Sequence, residues 1–166
     1  SGSDPHEALA RTEGAARAAG EPEALARLNE LVGIVYRLRD EDGCPWDRKQ
    51  TVESMAKNLV EEAFETSEAI ASGDDAHMAE ELGDALMNIV LMARIAEQEG
   101  RFDLGAVASG IATKLVRRHP HVFGEHAAED VEESQERWNQ IKAEEKRRKG
   151  LDPDAEINLD VTGQPA

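Results

Sequence analysis

The residues best placed to do chemistry are Glu61, Glu62 and Glu65, followed after Gly73-Asp74-Asp75 by Glu81 and Asp84. On helices, Glu61/Glu65 share a face at i,i+4, and Glu62/Glu65 and Glu81/Asp84 share faces at i,i+3. A hairpin at Gly73 would bring the two faces together. Five carboxylates converging between helices repel one another and need cations to offset that repulsion. The chemistry implied is a hard-cation site, of magnesium type, serving phosphate. The opposing reading is two solvated acidic helix faces, because charged residues are 33% of the chain. Apolar residues interleave with the acids: Leu59, Val60, Ala63 and Phe64 around the first group, then Leu82, Ala85, Leu86, Ile89 and Val90 around the second. Few positions remain for a core that excludes every acid.

Other residues allow two readings each. Lys57 precedes Glu61 by four and could pair with it or contact phosphate. Asn88 follows Asp84 by four and could ligate metal, bind a substrate, or serve as a local helix amide. Lys114, Arg117 and Arg118 form a basic cluster in an acidic chain, suited to triphosphate oxygens or to the negative end of a helix dipole. Trp46 could stack on a base or pin its loop to the core. His119 and His121 flank Pro120 and are read as loop-fixing residues rather than zinc ligands, since an oxygen-rich acidic set suits magnesium or manganese. Cys44 is read as a small packing residue. There is no Gly-rich phosphate loop and no dinucleotide fingerprint. The reaction these residues fit is metal-assisted hydrolysis of a phosphoanhydride, with a carboxylate taking the proton of the attacking water.

The elements that must position these groups follow from hydrophobic period. Leu25, Leu28, Leu31/Val32, Val35 and Leu38 recur at three to four residues and predict a helix over 23–39. Gly43 and Pro45 break it. Thr51 caps a second helix over 51–72, with Met55, Leu59, Ala63, Ile70 and Ala71 on its apolar side. Gly73 closes that helix, and Asp74 or Asp75 opens a third over 76–99, with Leu82, Leu86, Ile89/Val90, Ala93 and Ala96 as its stripe. Gly83 inside it costs up to ~1 kcal/mol relative to Ala, which a close helix–helix approach beside the acids would explain. Asp103 caps a fourth helix to about 118, with Leu104, Val107, Ile111 and Leu115 inward. Residues 119–124 read as a loop. A fifth helix over 130–149 is acidic early and basic late, with Val131, Trp138 and Ile141 as its apolar positions. The expected fold is all-α: a bundle of about five helices with a central acidic hairpin, completed by oligomerisation. Residues 1–22 and 150–166 read as tails flanking one domain over 23–149.

Composition narrows the classes further. The net charge of −16 repels polyanions, so binding of nucleic-acid polymers is not expected. One cysteine precludes an intramolecular disulfide and fits a reducing compartment. No run approaches the ~20 apolar residues that span a bilayer, and the polar N-terminus lacks a signal-peptide pattern. The expected location is cytoplasmic, without membrane partners.

The ordered motifs resemble those of the MazG nucleoside triphosphate pyrophosphohydrolases. Gly43-Cys44-Pro45-Trp46-Asp47-Arg48-Lys49-Gln50-Thr51 is similar to the segment ahead of that family's metal-binding helices. Glu61-Glu62-Ala63-Phe64-Glu65 and Glu80-Glu81-Leu82-Gly83-Asp84 look like its ExxE and ExxD motifs. The run from Lys114 to Gly124, KLVRRHPHVFG, resembles its basic segment. Trp138-Asn139-Gln140-Ile141-Lys142 with Glu145-Lys146 is similar to its closing helix. The resemblance covers roughly 28–146.

It implies an all-α, oligomeric enzyme, a homodimer or homotetramer, that converts nucleoside triphosphates to monophosphates and pyrophosphate with Mg²⁺, for which Mn²⁺ can substitute. It matches Glu62, Glu65, Glu81 and Asp84 to the metal ligands and Glu61 to an additional carboxylate. Glu62, or else Glu61, would deprotonate water. Lys114, Arg117 and Arg118 would face the phosphates, and Asn88 the substrate. Val52, Asn58, Asn88 and Met92 depart from the residues common in the family, which leaves base and sugar preference open. Many bacterial relatives carry two such domains, and this chain shows one copy. Two alternatives stand beside this reading: a narrow dUTP or dCTP pyrophosphatase, and a non-catalytic metal-binding helical regulator. The Glu-x-x-His pattern of di-iron bundles is absent from both acidic helices.

Overall fold

A computed structural model describes residues 22–123 and 130–152. The elements are α1 (Pro22–Leu38), α2 (Pro45–Lys49), α3 (Val52–Ser72), α4 (Asp75–Gln98), α5 (Leu104–Arg118), α6 (Pro120–Phe123) and α7 (Val131–Arg148). The architecture is all-α, as the periodicity requires. Most of the two expected tails lies outside the described residues. No helix among those described is long and apolar enough to cross a membrane. The chain divides into two compact units, which within the described residues are 22–107 and 108–152.

The first unit is built on the α3–α4 hairpin. Thr51 starts α3 with a capping box: its hydroxyl accepts from the Ser54 N–H at 3.0 Å, and the Thr51 N–H donates to Ser54 Oγ at 2.9 Å. Gly73 ends α3 at φ 73°, a left-handed conformation in which a side chain would be strained. Asp74 then caps α4 by accepting from the His77 N–H at 3.2 Å. So short a connection forces the two helices to run antiparallel side by side. α1 packs against α4, and the core forms where α1, the start of α3 and the second half of α4 meet. It comprises Val35, Met55, Val90, Leu91 and Ile95, with Leu31, Val32, Val52, Met87, Met92 and Leu104 around it.

The end of this core is fastened by polar contacts. Tyr36 donates to Glu97 Oε2 at 2.6 Å, and the Arg94 guanidinium lies 4.0 Å over the Tyr36 ring while pairing with Glu97 at 3.1 Å. Arg39 donates to Gln98 Oε1 and to the carbonyls of Asp47 and Gln50, tying α2 and the start of α3 to α1 and α4. At Gly43 the chain folds back so tightly on α1 that a Cβ would collide with the carbonyl oxygens of Leu38 and Arg37. The Cys44 N–H donates to that Leu38 carbonyl at 2.9 Å.

Several expectations are corrected. Residues 45–49 form a short helix rather than a plain break, and 120–123 form another within the segment read as a loop; Gly124 lies outside the described residues. The expected α4 stripe is buried only in its second half: Val90, Ala93 and Ala96 are buried, whereas Leu82, Leu86 and Ile89 are exposed. The cause is that α1 covers only the latter part of α4. On α3, Met55 and Ala69 are buried, but Ile70, expected inward, is exposed along with Val60 and Phe64. Ala63 and Ala71 are also exposed. A Cβ at Gly83 would meet nothing within 4 Å among the described residues, so they do not make the close helix approach expected there.

In the second unit, α7 is capped by Asp130, which accepts from the Glu133 N–H at 2.8 Å. Its acidic start (Glu132, Glu133) and basic end (Lys146, Arg147, Arg148) follow the dipole. Val107, Ile111 and Leu115 of α5, expected inward, are exposed, and so is Val131, an apolar position of α7.

Candidate active site: an acidic helical hairpin

The hairpin brings Glu62 of α3 together with Glu81 and Asp84 of α4. One carboxylate oxygen from each lies within 4.8 Å of the others, and all three residues are partly buried. Glu62 Oε2 and Glu81 Oε2 are buried without a hydrogen-bond partner among the described residues. Such groups are costly unless a cation or a proton satisfies them. Burial, followed by the charges of Glu65, Asp84 and Glu81, pushes the Glu62 carboxyl up to about 7. Glu65 is exposed yet held above the usual carboxylate range, chiefly by the charge of Glu81 and then by desolvation. The donor set is all oxygen, anionic and mutually repulsive, which fits a hard divalent cation.

Glu61 stands apart from this set. It is exposed and pairs with Lys57 at 3.9 Å along α3, so both side chains make the solvent-side pair open to them from spacing. Asn88 is buried, with 1% of its surface exposed. Its Nδ2 donates to the Asp84 carbonyl at 2.9 Å, while its Oδ1 has no partner among the described residues. Trp46 is exposed on α2, its carbonyl accepting from Gln50 Nε2 at 3.0 Å. Sequence reasoning passed over His77, whose Nε2 lies 3.3 Å from Glu81 Oε1. The i,i+4 spacing on α4 was the available signal.

The basic segment lies in the second unit. Arg117 and Arg118 both bind Glu145 of α7, each at 2.6 Å. These contacts hold Glu145 below the usual carboxylate range, the Arg118 hydrogen bond being the largest cause. The Arg118 guanidinium sits 5.0 Å over the Trp138 ring, and His119 packs 5.1 Å from the same ring. His119 Nδ1 donates to the Leu115 carbonyl at 2.6 Å, a contact of the loop-fixing kind, whereas His121, its ring tilted against that of His119 at 5.6 Å, has a buried Nδ1 without a hydrogen-bond partner among the described residues. Lys114 is partly buried on the same helix. Glu145 enters the sequence analysis only through the closing-helix resemblance, with no role assigned to it. An acid inside a basic run gives no periodic signal.

The fold and the site define an all-α protein whose helical hairpin carries ExxE on one helix and ExxD on the next. The profile of the MazG nucleotide pyrophosphohydrolase domain matches residues 50–123. The nucleoside triphosphate pyrophosphohydrolase of Escherichia coli K12 is 45% identical over 124 residues, covering 74% of this chain and 47% of that protein. The nucleoside triphosphate pyrophosphohydrolase/pyrophosphatase MazG of Thermotoga maritima is 45% identical over 136 residues, covering 82% of this chain and 52% of that protein. The crystal structure of a MazG-related protein from Thermotoga maritima superimposes with a TM-score of 0.59 at 31% identity, covering 69% of this chain and 97% of that one. This chain belongs to the MazG nucleotide pyrophosphohydrolase family. It spans about half the length of the two full-length relatives. Family membership implies dependence on a divalent metal, and the acidic cluster is where one could bind.

Proposed function

We propose that this chain hydrolyses nucleoside triphosphates to monophosphates and pyrophosphate, with Mg²⁺ as its cation and Mn²⁺ able to substitute, in the clearance of unwanted nucleotides. The observation that carries the reading is the convergence of Glu62, Glu81 and Asp84 across the hairpin. The partnerless buried oxygens of Glu62 and Glu81 suit a cation. Glu62, Glu65, Glu81 and Asp84 would hold it. A bound divalent cation offsets phosphate charge and lowers the pKa of a water.

The protein's own groups supply the rest. Glu62 accepts the proton of the attacking water through a carboxylate oxygen not engaged by the cation. Glu61 is the reserve acceptor. Lys114, Arg117 and Arg118 are assigned to the phosphates, and Asn88, Lys57 and Trp46 to further substrate contacts. The acidic chain disfavours nucleic-acid polymers, and its single cysteine suits the cytoplasm.

The test is a panel of nucleoside triphosphates with Mg²⁺ and product identification. Monophosphate plus pyrophosphate is the expected outcome. Diphosphate plus orthophosphate, or no turnover across the panel, overturns the reading. Relative kcat/KM across bases and sugars then separates broad activity from a narrow dUTP or dCTP preference.

We also propose that the chain works as a homodimer or homotetramer. The support is the apolar surface beside the acids: Val60, Phe64, Leu82, Leu86 and Ile89 are all at least 38% exposed. A second copy laid on these helices would remove that surface from water.

A further inference from the structure

Arg117 and Arg118 are neighbours on one helix, and one carboxylate from another helix holds both. Glu145 Oε1 accepts from Arg117 Nε at 2.7 Å and Nη2 at 2.6 Å. Its Oε2 accepts from Arg118 Nε at 3.1 Å and Nη2 at 2.6 Å. The clamp is therefore bidentate on each guanidinium and uses the same Nε–Nη2 edge of both. The Nη1 groups lie outside it. Arg118 is fixed a second time by Trp138, over whose ring its Cζ lies 5.0 Å from the centroid. The side chains of Arg118 and Glu145 are each 13% exposed, whereas that of Arg117 is 49% exposed. One negative charge thus faces two positive ones, and the cluster keeps a surplus positive charge.

We propose that Glu145 is a positioning residue that holds Arg117 and Arg118 as a preformed receptor for the terminal phosphates of the substrate. The proposal rests on the phosphate assignment of this basic segment made above. Two long flexible side chains would otherwise lose their rotamer freedom on binding. Glu145 fixes them during folding instead, so less of the phosphate interaction is spent on ordering. The remaining donors and the surplus charge suit an anion richer in charge than a carboxylate.

The test uses inorganic tripolyphosphate and orthophosphate as base-free probes, each titrated calorimetrically in the presence of Mg²⁺. Glu145→Gln keeps the shape but loses the charge that binds both arginines. Its tripolyphosphate affinity is expected to fall about tenfold, the equivalent of one charge-assisted hydrogen bond, with orthophosphate affinity little changed. Glu145→Asp, with the charge kept and the reach shortened, is expected to lose about threefold; it carries the test alone if the Gln variant does not fold. Tripolyphosphate binding that is unchanged, tighter, or weakened equally with orthophosphate overturns the proposal. Arg118→Ala separates the two layers. If it leaves tripolyphosphate binding intact, the phosphate assignment itself fails. If it weakens binding while Glu145→Gln does not, only the role of Glu145 fails.

Discussion

Replacing Glu62 by Gln should make the metal-free protein more stable at alkaline pH. The side chain keeps its size but no longer adds charge to Glu65, Glu81 and Asp84. A carboxyl moved from 4.5 to about 7 prefers its neutral form by about 3 kcal/mol. The site is partly open, and solvent screening reduces the gain to about 1–2 kcal/mol. For a chain of 166 residues that corresponds to a Tm rise of about 3–6 °C. The pH dependence has a defined sign. Folded Glu62 takes up its proton near pH 7, and the unfolded chain does so only near 4.5. Between these values the folded state binds more protons, so wild-type stability rises as pH falls through the window. The advantage of Glu62→Gln is therefore full at pH 8, shrinks on acidification and is gone by about pH 4. Thermal melts of both proteins from pH 4 to 8 in chelator measure this. Mg²⁺ at pH 8 should then stabilise the wild type more than the variant. An advantage that is independent of pH, or equal stabilisation of both proteins by Mg²⁺, would refute the cation-cage argument.

Three further outcomes are expected. Glu65→Gln and Asp84→Asn should each abolish triphosphate turnover with little loss of helicity by circular dichroism; full activity in both would remove the hairpin from the chemistry. Gly43→Ala should cost roughly 2 kcal/mol in urea unfolding, because the added methyl meets the Leu38 and Arg37 carbonyls; an unchanged midpoint would mean the turn relaxes freely. Phe64→Asp should lower the mass seen by analytical ultracentrifugation if the exposed face of α3 is where copies meet, and an unaltered oligomer would place the contact elsewhere.

Local signals in the sequence determined most of the secondary structure. The Thr51 cap, Gly73 at the hairpin, the Asp74 cap and the 3.6-residue period set the long helices to within a residue or two. The two acidic groups followed from the same short-range geometry, since i,i+3 and i,i+4 neighbours share a face wherever the helix packs. Tertiary structure alone decided which members of each group meet. Glu62 turns into the hairpin while Glu61, its sequence neighbour, turns out to Lys57, because one residue along a helix is 100° of rotation. It also decided that Leu82, Leu86 and Ile89 stay exposed, since a periodic stripe does not say how far a neighbouring helix reaches. Glu145 was illegible for the same reason. Its carboxylate meets Arg117 and Arg118 from 28 and 27 residues away, a pairing set by how α5 and α7 fold together rather than by any spacing along the chain.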